Sequence, residues 1–138
     1  MINANLKTVI AIRCDSNEKI GTGHFYRCMR FAKSAIRLGA KVIFVGEIKN
    51  RSVQLTEFED ISFINMDHNG DDAVKFIAAI KQTGLCLDLI VVDNYNLDIT
   101  WHQKVKTYFQ NQCKILVIDD LADRKLDADF LINPNDIG

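Results

Sequence analysis

The chain has 138 residues, of which 48% are hydrophobic and 25% are charged, so it can bury a core of its own without disulfides. Its formal net charge of −1 gives no general positive field, which argues against nucleic acid or anionic lipid as a partner. The start of the chain lacks a signal-peptide pattern, and no apolar run approaches the roughly 20 residues that span a bilayer, so we expect one cytoplasmic domain over residues 1–138, without membrane insertion.

The four cysteines, Cys14, Cys28, Cys86 and Cys113, show no C-x-x-C pair and no histidine at zinc spacing. This pattern predicts ordinary buried thiols in a reducing compartment, in agreement with a cytoplasmic location.

Short β-branched runs alternate with amphipathic helical patterns, which is typical of a parallel sheet covered by helices. The predicted strands are Val9–Arg13, Lys41–Val45, Ile61–Asn65, Leu89–Asp93, Ile115–Asp119 and Phe130–Asn133. The predicted helices are His24–Leu38, Ser52–Phe58, Asp71–Gln82 and Asp98–Gln110. We therefore expect an α/β fold, a Rossmann-like three-layer domain with a mainly parallel sheet of about six strands.

Apolar spacing also predicts which side chains pack inward. On the first helix these are Phe25, Cys28, Met29, Ala32 and Ile36, with Gly39 as the stop signal. On the helix after Asn69-Gly70-Asp71 the residues at helical spacing are Val74, Ile77, Ala78 and Lys81. We expect Trp101 and Tyr108 in the core.

The most informative segment is the glycine loop before the first helix. Gly21 and Gly23 allow backbone to approach a ligand closely, and the first helical turn presents unpaired N–H groups. His24 follows at this helix start, where it is either a cap or a base. Because Tyr26 stands where a dinucleotide fingerprint needs its third glycine, NAD is not the expected ligand.

Polar residues follow the predicted strands at the edge where ligands of parallel sheets bind. They are Asp15, His24, Asp93, Asn94, Tyr95, Asp119, Asp120 and Asn133. Either they converge on one cleft, or the aspartates cap loops and Tyr95 packs on a helix. We assign Asn94 no role.

Two further polar groups have simple explanations. Arg30 and Arg37 lie on a stripe with Arg27 and are expected on a solvated basic face, so only Arg27 keeps a functional interpretation. The spacing of Asp67, His68, Asp71 and Asp72 is that of a polar loop and helix cap, so we expect no metal site.

Five motifs in order along the chain resemble the N-terminal half of the UDP-2,4-diacetamido-2,4,6-trideoxy-β-L-altropyranose hydrolase family, which releases UDP in pseudaminic acid biosynthesis. The motifs are Arg13-x-Asp15, Ile20-Gly21-x-Gly23-His24-x-x-Arg27-Cys28, Val91-Val92-Asp93-Asn94-Tyr95, Ile118-Asp119-Asp120 and Leu131-Ile132-Asn133-Pro134. The resemblance implies half of a glycosyltransferase-B-type architecture. The site would lie in a cleft facing a C-terminal UDP-binding domain that this chain does not include.

The resemblance also implies a role for individual residues. His24 would deprotonate the attacking water, and Tyr95 would place the water or the sugar. We expect the helix N-terminus to keep His24 neutral, since its positive partial charge opposes imidazolium. No cofactor is implied. The implied substrate-binding residues are Arg13, Asp15, Gly21, Thr22, Gly23, Arg27, Asp93, Asp119 and Asn133.

Two other functions fit parts of the pattern. The acceptor-side domain of a glycosyltransferase would share the glycine loop and His24, with an alcohol in place of water. A flavodoxin-like binding or receiver module would have a similar length. A receiver, however, has an acidic pair after its first strand, where Asp15 stands alone, and a lysine after its fifth, where Leu121 follows Asp119-Asp120.

Overall fold

A computed structural model describes residues 7–16, 23–48, 60–67, 69–119, 121 and 123–134. These residues form six strands and three α-helices. The strands are β1 Val9–Cys14, β2 Lys41–Gly46, β3 Ile61–Asn65, β4 Leu89–Asp93, β5 Lys114–Ile118 and β6 Phe130–Ile132. The helices are α1 Gly23–Arg37, α2 Asp72–Thr83 and α3 Ile99–Tyr108. The helix predicted over Ser52–Phe58 lies outside the described residues.

The strands make one sheet in the order β3-β2-β1-β4-β5-β6, and every pairing between them is parallel. Alternate residues of each strand face opposite sides of the sheet. One side packs on α1, around Phe25, Met29, Ile12 and Phe44. The other side packs on α2 and α3. The chain therefore has the predicted α/β, Rossmann-like three-layer fold.

The helix boundaries follow local chemistry. The helix α1 ends in a Schellman arrangement: Gly39 takes a φ of 96°, and the N–H groups of Gly39 and Ala40 donate to the carbonyls of Ile36 and Ala35. The side chain of Asp71 accepts from the N–H of Val74 at the start of α2, and Asp98 caps α3 in the same way through Thr100.

The inward face of α1 is as predicted, but that of α2 is not. The buried residues of α2 are Ala73, Phe76, Ala79 and Ile80. Val74 is 59% exposed, because Phe76 packs its ring on Trp101 at a centroid distance of 5.2 Å and thereby sets the rotation of the helix. Trp101 lies in the core as expected. Tyr108 does not, because it lies in the last turn of α3, where 45% of it faces solvent.

Three of the four cysteines, Cys14, Cys28 and Cys113, are buried free thiols as predicted. Cys86 is exposed, so the expectation of a buried thiol is wrong at that position.

Candidate functional site

A small pocket of about 50 Å³ lies at the carboxyl ends of β1 and β4. These two strands are neighbours in the sheet, and the strand order reverses between them, which is where open parallel sheets bind ligands. The described residues that line the pocket are Asp15, His24, Asp93, Asn94, Tyr95 and Asn96. The structure therefore brings four of the predicted site residues, Asp15, His24, Asp93 and Tyr95, to one place.

The carboxylate of Asp93 is the centre of this group, and its side chain is not exposed to solvent. Its Oδ1 atom lies 3.1 Å from Nδ1 of His24. Arg27 donates to both oxygens in a bidentate arrangement, with Nε and Nη2 each 2.5 Å from their acceptors. The thiol of Cys28 donates to Oδ2 at 3.4 Å. Three donors from the first turns of α1 thus converge on the last residue of β4.

These contacts set the direction in which the pKa of His24 shifts. The hydrogen bond to Asp93 raises the pKa of His24 above its usual 6.5, although burial and the charge of Arg27 oppose the rise. The expectation that the helix N-terminus keeps this side chain neutral is therefore wrong in its direction. A buried carboxylate in direct contact outweighs the partial charge of a helix end.

Asp93 responds in the opposite direction. Burial acts to raise the pKa of its carboxyl group, but the hydrogen bonds and charges of Arg27 and His24 outweigh burial and lower it. Asp93 is thus an anion at neutral pH. With His24 neutral, its Nδ1–H donates to that anion, which leaves Nε2 as the nitrogen able to accept a proton.

Tyr95 packs against the imidazole. The two ring centroids are 4.8 Å apart and the rings are perpendicular. This edge-to-face contact limits the rotation of the His24 ring and brings the phenol to the pocket. Tyr95 also supplies a hydrogen bond that helps to raise the pKa of Arg27.

Asp15 connects three strand ends beneath the pocket. Its Oδ1 accepts from Nη1 of Arg13 at 2.7 Å and from the N–H of Glu47 at 2.8 Å. Its Oδ2 accepts from the amide of Asn94 at 2.8 Å. Asp15 is only 2% exposed, and through these contacts it holds together the chain segments at the ends of β1, β2 and β4.

Arg13 lies behind Asp15, away from the pocket lining. Its guanidinium is 1% exposed, and it makes a bidentate pair with Asp72 through Nε at 3.0 Å and Nη2 at 2.6 Å. Trp101 donates to the same carboxylate at 2.9 Å. The prediction that Arg13 binds substrate stays a prediction; its guanidinium contacts Asp15, Asp72 and two backbone carbonyls.

The other predicted substrate-binding residues lie around or beyond this pocket. Asp119 follows β5 and pairs with Arg124 at 2.6 Å. Asn133 follows β6 and is half-buried. Gly23 begins α1, and a methyl group added there would meet no atom of the other described residues within 4 Å. Gly21, Thr22 and Asp120 lie outside the described residues.

Sequence reasoning missed three residues that shape this region. Asn94 lines the pocket and is 6% exposed, although it was given no role. Asp72 is an ion-pair partner of Arg13 and not merely part of a helix cap. Arg124 reaches the loop after β4 from the loop after β5. Only Asn94 had a usable signal, because it directly follows a buried strand.

The part of the chain that the structure describes contains no group of three or more His, Cys, Asp or Glu side chains placed to hold a metal ion. In the same ranges no helix has the length and apolar character needed to cross a membrane.

Comparison with known proteins found no protein-family model that matches the chain and no curated protein with significant sequence similarity to it.

Proposed function

We propose that this chain is the catalytic domain of a hydrolase that cleaves a UDP-linked 2,4-diacetamido-2,4,6-trideoxy hexose to the free sugar and UDP, as a step of pseudaminic acid biosynthesis. The observation that carries the proposal is the hydrogen bond between His24 and Asp93 at a pocket between β1 and β4. The resemblance of five ordered motifs to the hydrolase family supplies the substrate class.

The proposed reaction is attack of water on the anomeric carbon. Nε2 of His24 accepts a proton as the water oxygen forms its bond to that carbon, and the bond from the anomeric carbon to the diphosphate oxygen breaks. Asp93 accepts the Nδ1–H hydrogen bond, fixes the tautomer and stabilises the imidazolium that forms. The diphosphate leaves with the bonding electron pair as UDP.

Tyr95 has a positioning role in this proposal. Its ring holds the imidazole from the side, and it reaches the same pocket as His24. A base must lie within hydrogen-bond reach of the proton it removes, so a fixed ring plane favours one position for the water.

The size of the pocket supports a second part of the proposal, that a UDP-binding domain completes the site. Its volume of about 50 Å³ is far below the range of roughly 300–1,000 Å³ that is usual for ligand pockets. The described residues alone therefore leave too little room for a nucleotide sugar. In this proposal the Gly21–Gly23 loop approaches the sugar or diphosphate, and the partner domain holds most of the UDP.

The test is the reaction of the complete gene product with the UDP-sugar in water enriched in ¹⁸O. We expect UDP and free sugar in equal amounts, with no ¹⁸O in UDP, because cleavage occurs between carbon and oxygen. Label in UDP would mean attack on phosphorus and would overturn the mechanism. UDP release that requires an added alcohol acceptor would identify a transferase.

A further inference from the structure

Residues 94–97 form a tight turn directly after β4. The N–H of Leu97 donates to the carbonyl of Asn94 at 3.3 Å. The two central residues, Tyr95 and Asn96, both line the pocket, and Tyr95 contacts His24. The position of the phenol therefore depends on the span and orientation of this turn.

Arg124 binds both ends of that turn from the loop after β5. Its Nη2 donates to the carbonyl of Asn94 at 3.2 Å, and its Nε donates to the carbonyl of Leu97 at 2.9 Å. The guanidinium is itself held by Asp119 at 2.6 Å and by Asp123 at 3.1 Å. The side chains of Arg124 and Asp119 are 14% and 3% exposed, so this pair is largely shielded from water, whereas Asp123 lies at the surface.

The planar guanidinium makes this contact more than a simple ion pair. Its donors are fixed in one fork, so the two carbonyls it binds are held at a set separation. A lysine in its place would offer a charge but no such fork. The other side of the turn is fixed independently, since the Asn94 amide donates to Asp15.

We propose that Arg124 is a positioning residue for the pocket: it clamps the Asn94–Leu97 turn and so sets Tyr95 against His24. The kinetic consequence rests on the proposed hydrolase function. The structural consequence does not, because it concerns only contacts within the chain.

The test compares Arg124→Lys and Arg124→Ala with the unaltered complete protein, and with Arg37→Ala as a matched control at an exposed arginine of α1. Three readouts apply: hydrogen exchange of the Leu97 amide, the ring-current shift of the His24 imidazole protons, and kcat and KM for UDP release. Arg124→Lys retains the positive charge that pairs with Asp119 and Asp123 but removes the planar guanidinium. It therefore tests whether the fork itself, and not the charge, holds the turn.

We expect Leu97 to exchange about tenfold faster in both Arg124 variants, because without the guanidinium fork the turn that its N–H closes is no longer held at both ends. The His24 proton shift should lose its Tyr95 contribution. The value of kcat should fall by up to about 10²-fold with a smaller change in KM, since a misplaced catalytic group costs rate more than binding. Added guanidinium ions should restore part of kcat in Arg124→Ala.

Unchanged Leu97 exchange and an unchanged His24 shift in a folded Arg124→Lys protein would overturn the proposal. If the unaltered protein releases no UDP, the hydrolase proposal fails, and the exchange and shift measurements still decide whether Arg124 clamps the turn. If UDP is released and the Arg124 variants match the Arg37 control in every readout, only the clamp fails.

Discussion

Nδ1 of His24 lies 3.1 Å from Oδ1 of Asp93, joining the first turn of α1 to the end of β4. The carboxylate is buried and also binds Arg27. The contact is therefore not a solvent-exposed ion pair, and His24 is not a histidine without a partner. The consequence of this contact is a histidine with a fixed ring, a defined tautomer and a raised pKa. Each prediction that concerns the chemistry starts from this contact.

Asp93→Asn should lower the pKa of His24, because the hydrogen bond and charge that raise it come from this carboxylate. A general base works only when neutral, so the acid limb of the rate profile should move to lower pH. The rate at the optimum should fall by about 10²–10⁴-fold, since the imidazolium loses its partner. The measurement is kcat/KM against pH, with NMR titration of His24. A limb that stays in place would contradict the assignment.

Arg27→Gln should move the same limb in the other direction. The charge of Arg27 lowers the pKa of His24, so its removal should raise that pKa and require a higher pH for activity. The matched control is Arg30→Gln, on the same helix but exposed. We expect the control to show the His24 titration of the unaltered protein. Equal titration curves for both variants would show that Arg27 does not act on His24.

Gly46→Ala should destabilise the fold, because β2 passes very close to the end of β1. A Cβ at this position would lie 1.8 Å from the carbonyl oxygen of Cys14 and 2.8 Å from Oδ1 of Asp15. Backbone must shift to relieve this overlap, at a cost of about 3 kcal/mol. Gly23→Ala is the control, since its Cβ would meet none of the other described residues within 4 Å. Thermal unfolding should separate the two variants, and equal midpoints would refute the close approach.

His102 predicts a pH dependence of stability away from the site. It is fully buried and accepts a hydrogen bond at Nδ1 from the N–H of Asp127, 3.0 Å away. Burial lowers its pKa to about 4, and the charge of Arg124 acts in the same direction. The unfolded chain therefore binds more protons between about pH 4 and 6.5, so stability should fall as pH falls through that window.

The size of this effect is roughly 3 kcal/mol for a depression of that extent. His102→Asn places an amide oxygen where Nδ1 lies, so it keeps an acceptor for the N–H of Asp127 but does not titrate. Urea unfolding at several pH values should show a shallower slope for this variant between pH 4 and 6.5 than for the unaltered protein. Parallel slopes would mean that His102 is not the group responsible.

The fold was largely predictable because buried parallel strands are continuous apolar runs. The strands β3 and β4 have the predicted bounds, β1, β2 and β6 differ by one residue at their last position, and β5 is shifted by one residue at both ends. Helix rotation was less predictable. The spacing of Val74, Ile77, Ala78 and Lys81 competed with that of Phe76 and Ile80, and the contact with Trp101 decided between them.

The site was predictable as a set of strand-end residues, but its internal contacts were not. Because the carboxyl ends of parallel strands lie at the same edge of a sheet, the predicted strands alone place Asp15, Asp93 and Tyr95 at that edge. The pKa of His24 depends on a carboxylate that no local pattern connects to it, so the helix-end rule gave the wrong direction. The contacts of Arg124 could not be predicted from the sequence for a similar reason, since this side chain binds backbone carbonyls of a different loop.

The central claim, that His24 is the general base of a UDP-sugar hydrolase, is tested most directly by UDP release from the complete gene product beside its His24→Gln variant. Both proteins must first show the same circular dichroism and a cooperative unfolding transition. The account predicts turnover by the unaltered protein and a loss of about 10²–10⁴-fold in kcat for the variant. Turnover that is indifferent to His24, or binding of the UDP-sugar without turnover, would contradict it.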